Sequence, residues 1–160
     1  MHISACTAIM TAVLLTACAP STTSTTFDPE DPAAIAEIEA IMETTMAGSR
    51  DADAGRVLAM AEGGSDLTFI TADVMLTGLE TIRAAFEDTY AGVASQTQTV
   101  LERRIRLLSP DVAVLTAISE GTYTDNAGWT SDPVGMGFTI VFVREDGTWR
   151  ARHAHQSTAP

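Results

Sequence analysis

The stretch Arg144-Glu145-Asp146-Gly147-Thr148-Trp149-Arg150-Ala151-Arg152-His153-Ala154-His155 decides the fold. Asp-Gly between two alternating runs marks a two-residue hairpin, because both turn positions need positive φ and these residues tolerate it. Val134 to Arg144 and Thr148 to Gln156 are therefore read as paired strands. An uninterrupted ladder sets Arg144 opposite Trp149, Phe142 opposite Ala151, Ile140 opposite His153 and Phe138 opposite His155. Met136, Phe138, Ile140, Phe142, Trp149, Ala151, His153 and His155 then share one face, and its bulk directs it at the core. Val141, Val143, Arg150 and Arg152 lie on the other. Apolar surface on both faces points to a second copy of the chain covering the outer one.

Upstream, Ser109-Pro110-Asp111 turns another strand pair, Gln96 to Leu108 and Val112 to Tyr123. It pairs Leu107 with Ala113, Ile105 with Leu115, Arg103 with Ala117 and Leu101 with Ser119. Before Gly92 the period changes from two to 3.6. Asp31 caps a helix with Pro32 in its first turn, Ile35, Ile38, Met42 and Met46 form its stripe, and Gly48 ends it. A second, shorter helix starts at Asp51 or Asp53 and runs to Glu62. Leu67 to Ile70 is a short strand, and Thr77-x-x-Glu80 reads as a capping box for a third helix carrying Leu79, Ile82, Phe86 and Tyr90.

This order of elements resembles the nuclear transport factor two-like superfamily, closest to its SnoaL-like and kinase-association-domain-like branch. Gly78 to Phe86, Leu108 to Val114 and the Arg144 to His155 stretch carry the resemblance. It implies an α+β fold, a cone of curved antiparallel sheet (a cystatin-like α+β barrel) wrapped around three helices, with a pocket inside and frequent dimers through the convex face. The superfamily holds isomerases, cyclases, dehydratases and plain binding or assembly domains, so fold alone does not assign chemistry. Ungapped comparison with the ketosteroid isomerase branch sets Ile41 where that branch has its oxyanion tyrosine and Thr71 where it has its general base; Asp73 lies two residues away.

Several residues are candidates for a site. His153 and His155 are either an acid/base pair, since imidazole titrates near neutral pH, or core histidines bonded to backbone. Alternate strand residues share a side and could share a metal, but no third ligand of matching geometry is visible, so no metal and no cofactor is assigned. Arg103 either receives a ligand's anionic or carbonyl group or pairs with Glu120 or a helix carboxylate. Ser119, Tyr123, Phe138 and Ile140 are expected to line the pocket, with Trp129 at its mouth or in dimer packing. Glu37, Glu39 and Glu43 read as a solvated helix face, and the methionines as core filler.

The 160 residues carry a formal charge of −12, and all nine cations are arginine. That balance argues against gripping nucleic acid, which relies on clustered positive charge. Fourteen of the 21 carboxylates but three of the nine arginines precede Ala91. At the N-terminus, Ile3 to Ala17 is apolar and, at about 15 residues, short for a membrane span. Leu15-Thr16-Ala17-Cys18 resembles the lipobox of bacterial lipoproteins, and Ser21 to Thr26 makes a tether. Residues 1–17 are thus read as signal peptide, 18–30 as lipidated Cys18 and tether, and 31–157 as one domain. Ala19 after the cysteine implies the periplasmic side of the outer membrane in a Gram-negative host; a plain signal cut near Ala17 or Ala19 would instead leave a soluble secreted or periplasmic protein. Neither Cys6 nor Cys18 would remain as a free thiol.

Three functions follow as expectations. The first is an envelope-anchored domain binding a small, partly apolar molecule. The second is a cofactor-independent isomerase or lyase using a pocket histidine. The third is a dimerisation scaffold.

Overall fold

The computed structural model describes residues 27–63 and 66–158; the signal segment and Cys18 lie outside them. Helix α1 spans Pro32–Arg50. Asp31 caps it, its carboxylate accepting from the Ala33 N–H at 2.9 Å. Ala34, Ile38, Met42 and Thr45 form its buried face at three- and four-residue spacing. Gly48 lies inside the helix rather than ending it. A Cβ there would stand 2.6 Å from the Arg56 Cβ, so the missing side chain lets the next helix cross against α1.

That helix, α2, is brief: Ala54–Leu58, followed by a 3₁₀ turn at Ala59–Ala61. Asp53 caps it through the Arg56 N–H. Strands β1 (Thr68–Thr71) and β2 (Val74–Thr77) form a hairpin around Ala72 and Asp73, with Ala72 at φ 50°. Asp73 is the lone turn-favouring residue there, beside an alanine at positive φ, and β2 was not expected. Helix α3 spans Leu79–Ala91 and begins at Gly78, whose φ is 86°. Thr77 closes β2 opposite Thr68 rather than capping α3, so the capping-box reading is corrected.

Four long strands follow: β3 Val93–Ser109, β4 Val112–Asp125, β5 Val134–Glu145 and β6 Thr148–Thr158. The sheet order is β2-β1-β6-β5-β4-β3. All neighbours are antiparallel except β1 and β6, which run parallel, so the sheet is open and mixed rather than wholly antiparallel. Together with the three helices this is the α+β cone the resemblance implied. Ile38, Leu58, Leu67, Ile82, Leu115 and Phe142 lie at 0–1% exposure where the helices meet the sheet. Two ion pairs tie α1 across it: Glu39 to Arg103 at 2.9 Å and Glu37 to Arg144 at 3.0 Å. The acidic helix face is thus partly engaged, and the uneven charge along the chain is met in space by arginines of the sheet.

Two bulges set which side chains face inward. On β3 the ladder slips between Val100 and Glu102. Leu107, Ile105 and Arg103 keep their expected partners, but Ser119 pairs with Val100, and Leu101 turns out to 59% exposure. On β6 the ladder slips at Arg152. Trp149 and Ala151 hold their expected partners, after which His153 pairs with Val141 and Ala154 with Ile140. Parity reverses beyond each bulge because strand side chains alternate with period two.

Candidate functional site

Inside the cone lies a cavity of about 410 Å³. One wall is aromatic: Phe69 packs on Phe86 at 5.3 Å between ring centres, and Phe86 on Tyr90 at 5.7 Å. β1 supplies the first ring; α3 supplies the other two at four-residue spacing, which stacks them on one helix face. Ile140 and Phe138 from β5 and Met42 from α1 close other sides.

A polar end interrupts this surface. Thr45 and Ser49 sit one turn apart on α1. Gln96 and Gln98 come from alternate positions of β3, past the Leu101 bulge. The Gln96 amide donates to the Ser49 carbonyl at 2.9 Å, and the Gln98 amide donates to the Ser119 hydroxyl at 3.2 Å. Burial pushes the Tyr90 phenol above its usual pKa of 10, opposed by hydrogen bonds from the Ser49 and Gln96 side chains. It therefore stays a neutral donor at physiological pH. Thr45 is 8% exposed, and its hydroxyl has no hydrogen-bond partner among the described residues.

The expected site residues divide. Ser119, Tyr123, Phe138, Ile140 and Arg103 lie in the cavity wall. Arg103 is held by Glu39, the helix-carboxylate alternative, rather than standing free for an anion. Trp129 is not among the lining residues; at 58% exposure it stands edge-on to Tyr123, 5.7 Å between ring centres. The Asp125 carboxylate places it by accepting from the Ala127 and Trp129 N–H groups, each at 2.9 Å.

His153 and His155 do not enter the cavity, which corrects their expected inward orientation. The bulge at Arg152 directs them to the opposite face, where His155 lines a shallow groove with Glu102, Arg104 and Thr139. The physical reason is twofold. Ala151 and Ala154, at 0% and 5% exposure, take the buried positions that imidazoles would have needed hydrogen bonds to fill. The Arg152 guanidinium meanwhile folds onto the Glu145 carboxylate, which anchors the extra residue. Ala154 and Gln156 line the cavity instead. Asp73 is exposed at the tip of the β1–β2 turn. Among the described residues no group of three His, Cys, Asp or Glu could hold a metal.

Gln96, Gln98, Thr45 and Tyr90 were missed as site residues. The adjacent apolar pair Val100-Leu101 was the available signal for the first two. On β6 the corresponding signal was the three-residue spacing of Ala151 and Ala154.

Comparison with known proteins agrees with this architecture. No curated protein matches the chain. Among solved structures, a protein from Xanthomonas campestris assigned to the calcium/calmodulin dependent protein kinase II association domain is 25% identical, covering 78% of this chain and 86% of that one with a TM-score of 0.66. A nuclear transport factor 2-like superfamily protein from Salmonella enterica is 16% identical, covering 81% and 93%, with a TM-score of 0.72. A ketosteroid isomerase-like protein from Erwinia carotovora atroseptica is 20% identical, covering 84% and 100%, with a TM-score of 0.67. The family model of the calcium/calmodulin dependent protein kinase II association domain matches residues 34–160, so the chain belongs to that family.

Proposed function

We infer that this is a domain that binds a small, partly apolar molecule in its cone and is held at the bacterial envelope by a lipid on Cys18. The cavity carries the reading. At about 410 Å³ it falls in the range of small-ligand sites, and it combines apolar walls with a few convergent polar groups. Among the described residues its lining includes no carboxylate and no imidazole. The Tyr90 phenol in the wall is held protonated and so is no base, and both histidines face away, so binding is favoured over the isomerase or lyase alternative.

Native mass spectrometry of the purified chain after exposure to a cell extract tests this. A small-molecule adduct is expected. Ala117→Trp, which fills the cavity between Arg103 and Phe138, should abolish it, whereas His153→Ala and His155→Ala should leave it intact. An adduct that survives Ala117→Trp would place the ligand elsewhere and overturn the reading.

A second reading, self-association through the outer sheet face, is favoured by one observation: Ile118 stands at 50% exposure on that face, which farther along carries the partly buried Val141 and Val143. Kinship with an association domain supports it too. Light scattering at micromolar concentration should give the mass of a dimer, and Val141→Glu the mass of a monomer. A monomeric wild type removes this reading.

A further inference from the structure

We propose that Gln156 makes the cavity selective for a neutral planar ring whose edge carries an N–H and a C=O side by side, as in a lactam. The proposal rests on the cavity being a ligand site and names the class of molecule it takes.

The first observation is where the Gln156 side chain lies. Beyond the bulge at Arg152 the inward positions of β6 are Ala154 and Gln156, and both line the cavity. Gln156 stands opposite Phe138 on β5, and its amide nitrogen meets the Met136 sulfur at 4.0 Å. Phe138 and Met136 line the cavity too, so the amide lies among the lining side chains rather than behind them.

The second observation is what this amide leaves unmade. A carboxamide offers two N–H donors and a carbonyl acceptor, and a thioether is a weak acceptor. Gln156 donates to that sulfur alone, and its carbonyl has no partner among the described residues. The residue is half-buried, yet its carbonyl oxygen is not sealed in as the Thr45 hydroxyl is. The other two glutamines of the wall differ. The Gln96 amide donates to the Ser49 backbone carbonyl, and the Gln98 amide donates to the Ser119 hydroxyl. Gln156 is thus the lining glutamine whose N–H groups lack an oxygen acceptor. Leaving both halves of a partly buried amide unpaired forfeits hydration, and a cis-amide edge satisfies both at once.

The third observation is what flanks the amide. Phe138 faces Gln156 directly across the β5–β6 pair. On the other side Thr71 of β1 is its partner, which sets Phe69 on the diagonal, within reach of a long side chain. Phe69 packs in turn on Phe86. Aromatic rings on two sides suit a flat, apolar body held by its edge. Charge completes the selection. Arg103 is the one cation among the lining residues, and Glu39 holds it at 2.9 Å, so an ionised ligand would shed its water without gaining a free counter-charge.

Isothermal titration of the purified full chain at neutral pH with three fused-ring compounds tests the proposal. They are the lactam carbostyril, its N-methyl derivative, which lacks the N–H, and the carboxylate quinaldate. Carbostyril should bind, and N-methylcarbostyril and quinaldate should each bind about tenfold more weakly or worse. Gln156→Met keeps the length of the side chain and removes both hydrogen-bonding halves. It should weaken carbostyril about tenfold and bring the two neutral compounds to within about twofold of each other. A residue serving only the packing of the wall would lower both affinities alike and keep their ratio.

Equal binding of carbostyril and N-methylcarbostyril by the wild type would overturn the proposal, and that comparison needs no variant to fold. An unchanged ratio in Gln156→Met would overturn the role given to Gln156. Quinaldate binding as tightly as carbostyril would overturn the preference for a neutral ligand. If none of the three binds but an extract-derived adduct forms, the proposal alone falls; if the adduct is missing too, the cavity reading falls with it.

Discussion

Replacing Phe142 by alanine should lower the free energy of unfolding by about 3–5 kcal/mol. Phe142 is fully buried in β5, three residues before its end, paired with Ala113 on β4 and Ala151 on β6, both also at 0% exposure. Its two cross-strand neighbours are methyl-sized, so its ring fills the space that they leave over the sheet. Truncation would remove the ring, and neither alanine can reach across to fill the void. Domains of this kind are stable by about 5–15 kcal/mol, so one ring accounts for a large share. Urea unfolding should show a lower midpoint at an unchanged slope. Phe142→Leu, which keeps most of the volume, should cost about 1.5 kcal/mol or less. A loss under about 1 kcal/mol for the alanine variant would mean that this part of the core collapses freely, contrary to the packing described.

The second large effect concerns Cys18. If the lipobox-like Leu15-Thr16-Ala17-Cys18 is used, wild-type protein made in a bacterial host should take up labelled palmitate. Cys18→Ser should lose the label entirely and be either released from the membrane fraction or left unprocessed. The physical basis is acyl burial, worth about 0.8 kcal/mol per methylene, with more than one chain needed for stable anchoring. Among the described residues no helix is long and apolar enough to cross a membrane. Unlabelled wild-type protein would overturn the anchoring proposal and favour the soluble alternative.

Most of the fold was legible because its determinants are local. The Asp146-Gly147 turn has φ of 50° and 77°, which few other residue pairs accept, and it fixed the β5–β6 partners from Glu145 to Phe142. Asp31 and Pro32 fixed the start of α1 in the same way. Gly48 misled because a glycine demanded by a helix crossing looks like a glycine demanded by a helix end. Hairpin β1–β2 was hard to see because Ala72, not a glycine or asparagine, takes the positive φ of its turn, which leaves Asp73 as a lone signal.

The site was less legible, for two physical reasons. Inferring which way a strand side chain points propagates one assumption of parity along the whole strand. Arg152 and Leu101 each break that parity once. Beyond them, two histidines left the cavity and two glutamines entered it. Residues nearer the turns than the bulges, such as Arg103, Ile105 and Trp149, were placed correctly. Partnering of charges depends on a third dimension that no strand pattern contains, which is why the choice of Glu39 over Glu120 for Arg103 needed the folded arrangement.

The strand order has a consequence for how the molecule is made. β6 is last in the chain yet lies inside the sheet, between β1 and β5. Until Thr148–Thr158 has emerged from the ribosome, the β1–β2 hairpin has no other strand to join, and an isolated two-stranded hairpin is marginal in water. The β3–β4–β5 meander can form as it is synthesised, but the β1–β6 seam joins segments more than eighty residues apart and must close at the end. Completion of the cavity wall at Phe69 therefore waits on the final strand. A nascent chain remains open, with its inner face uncovered, for as long as translation lasts.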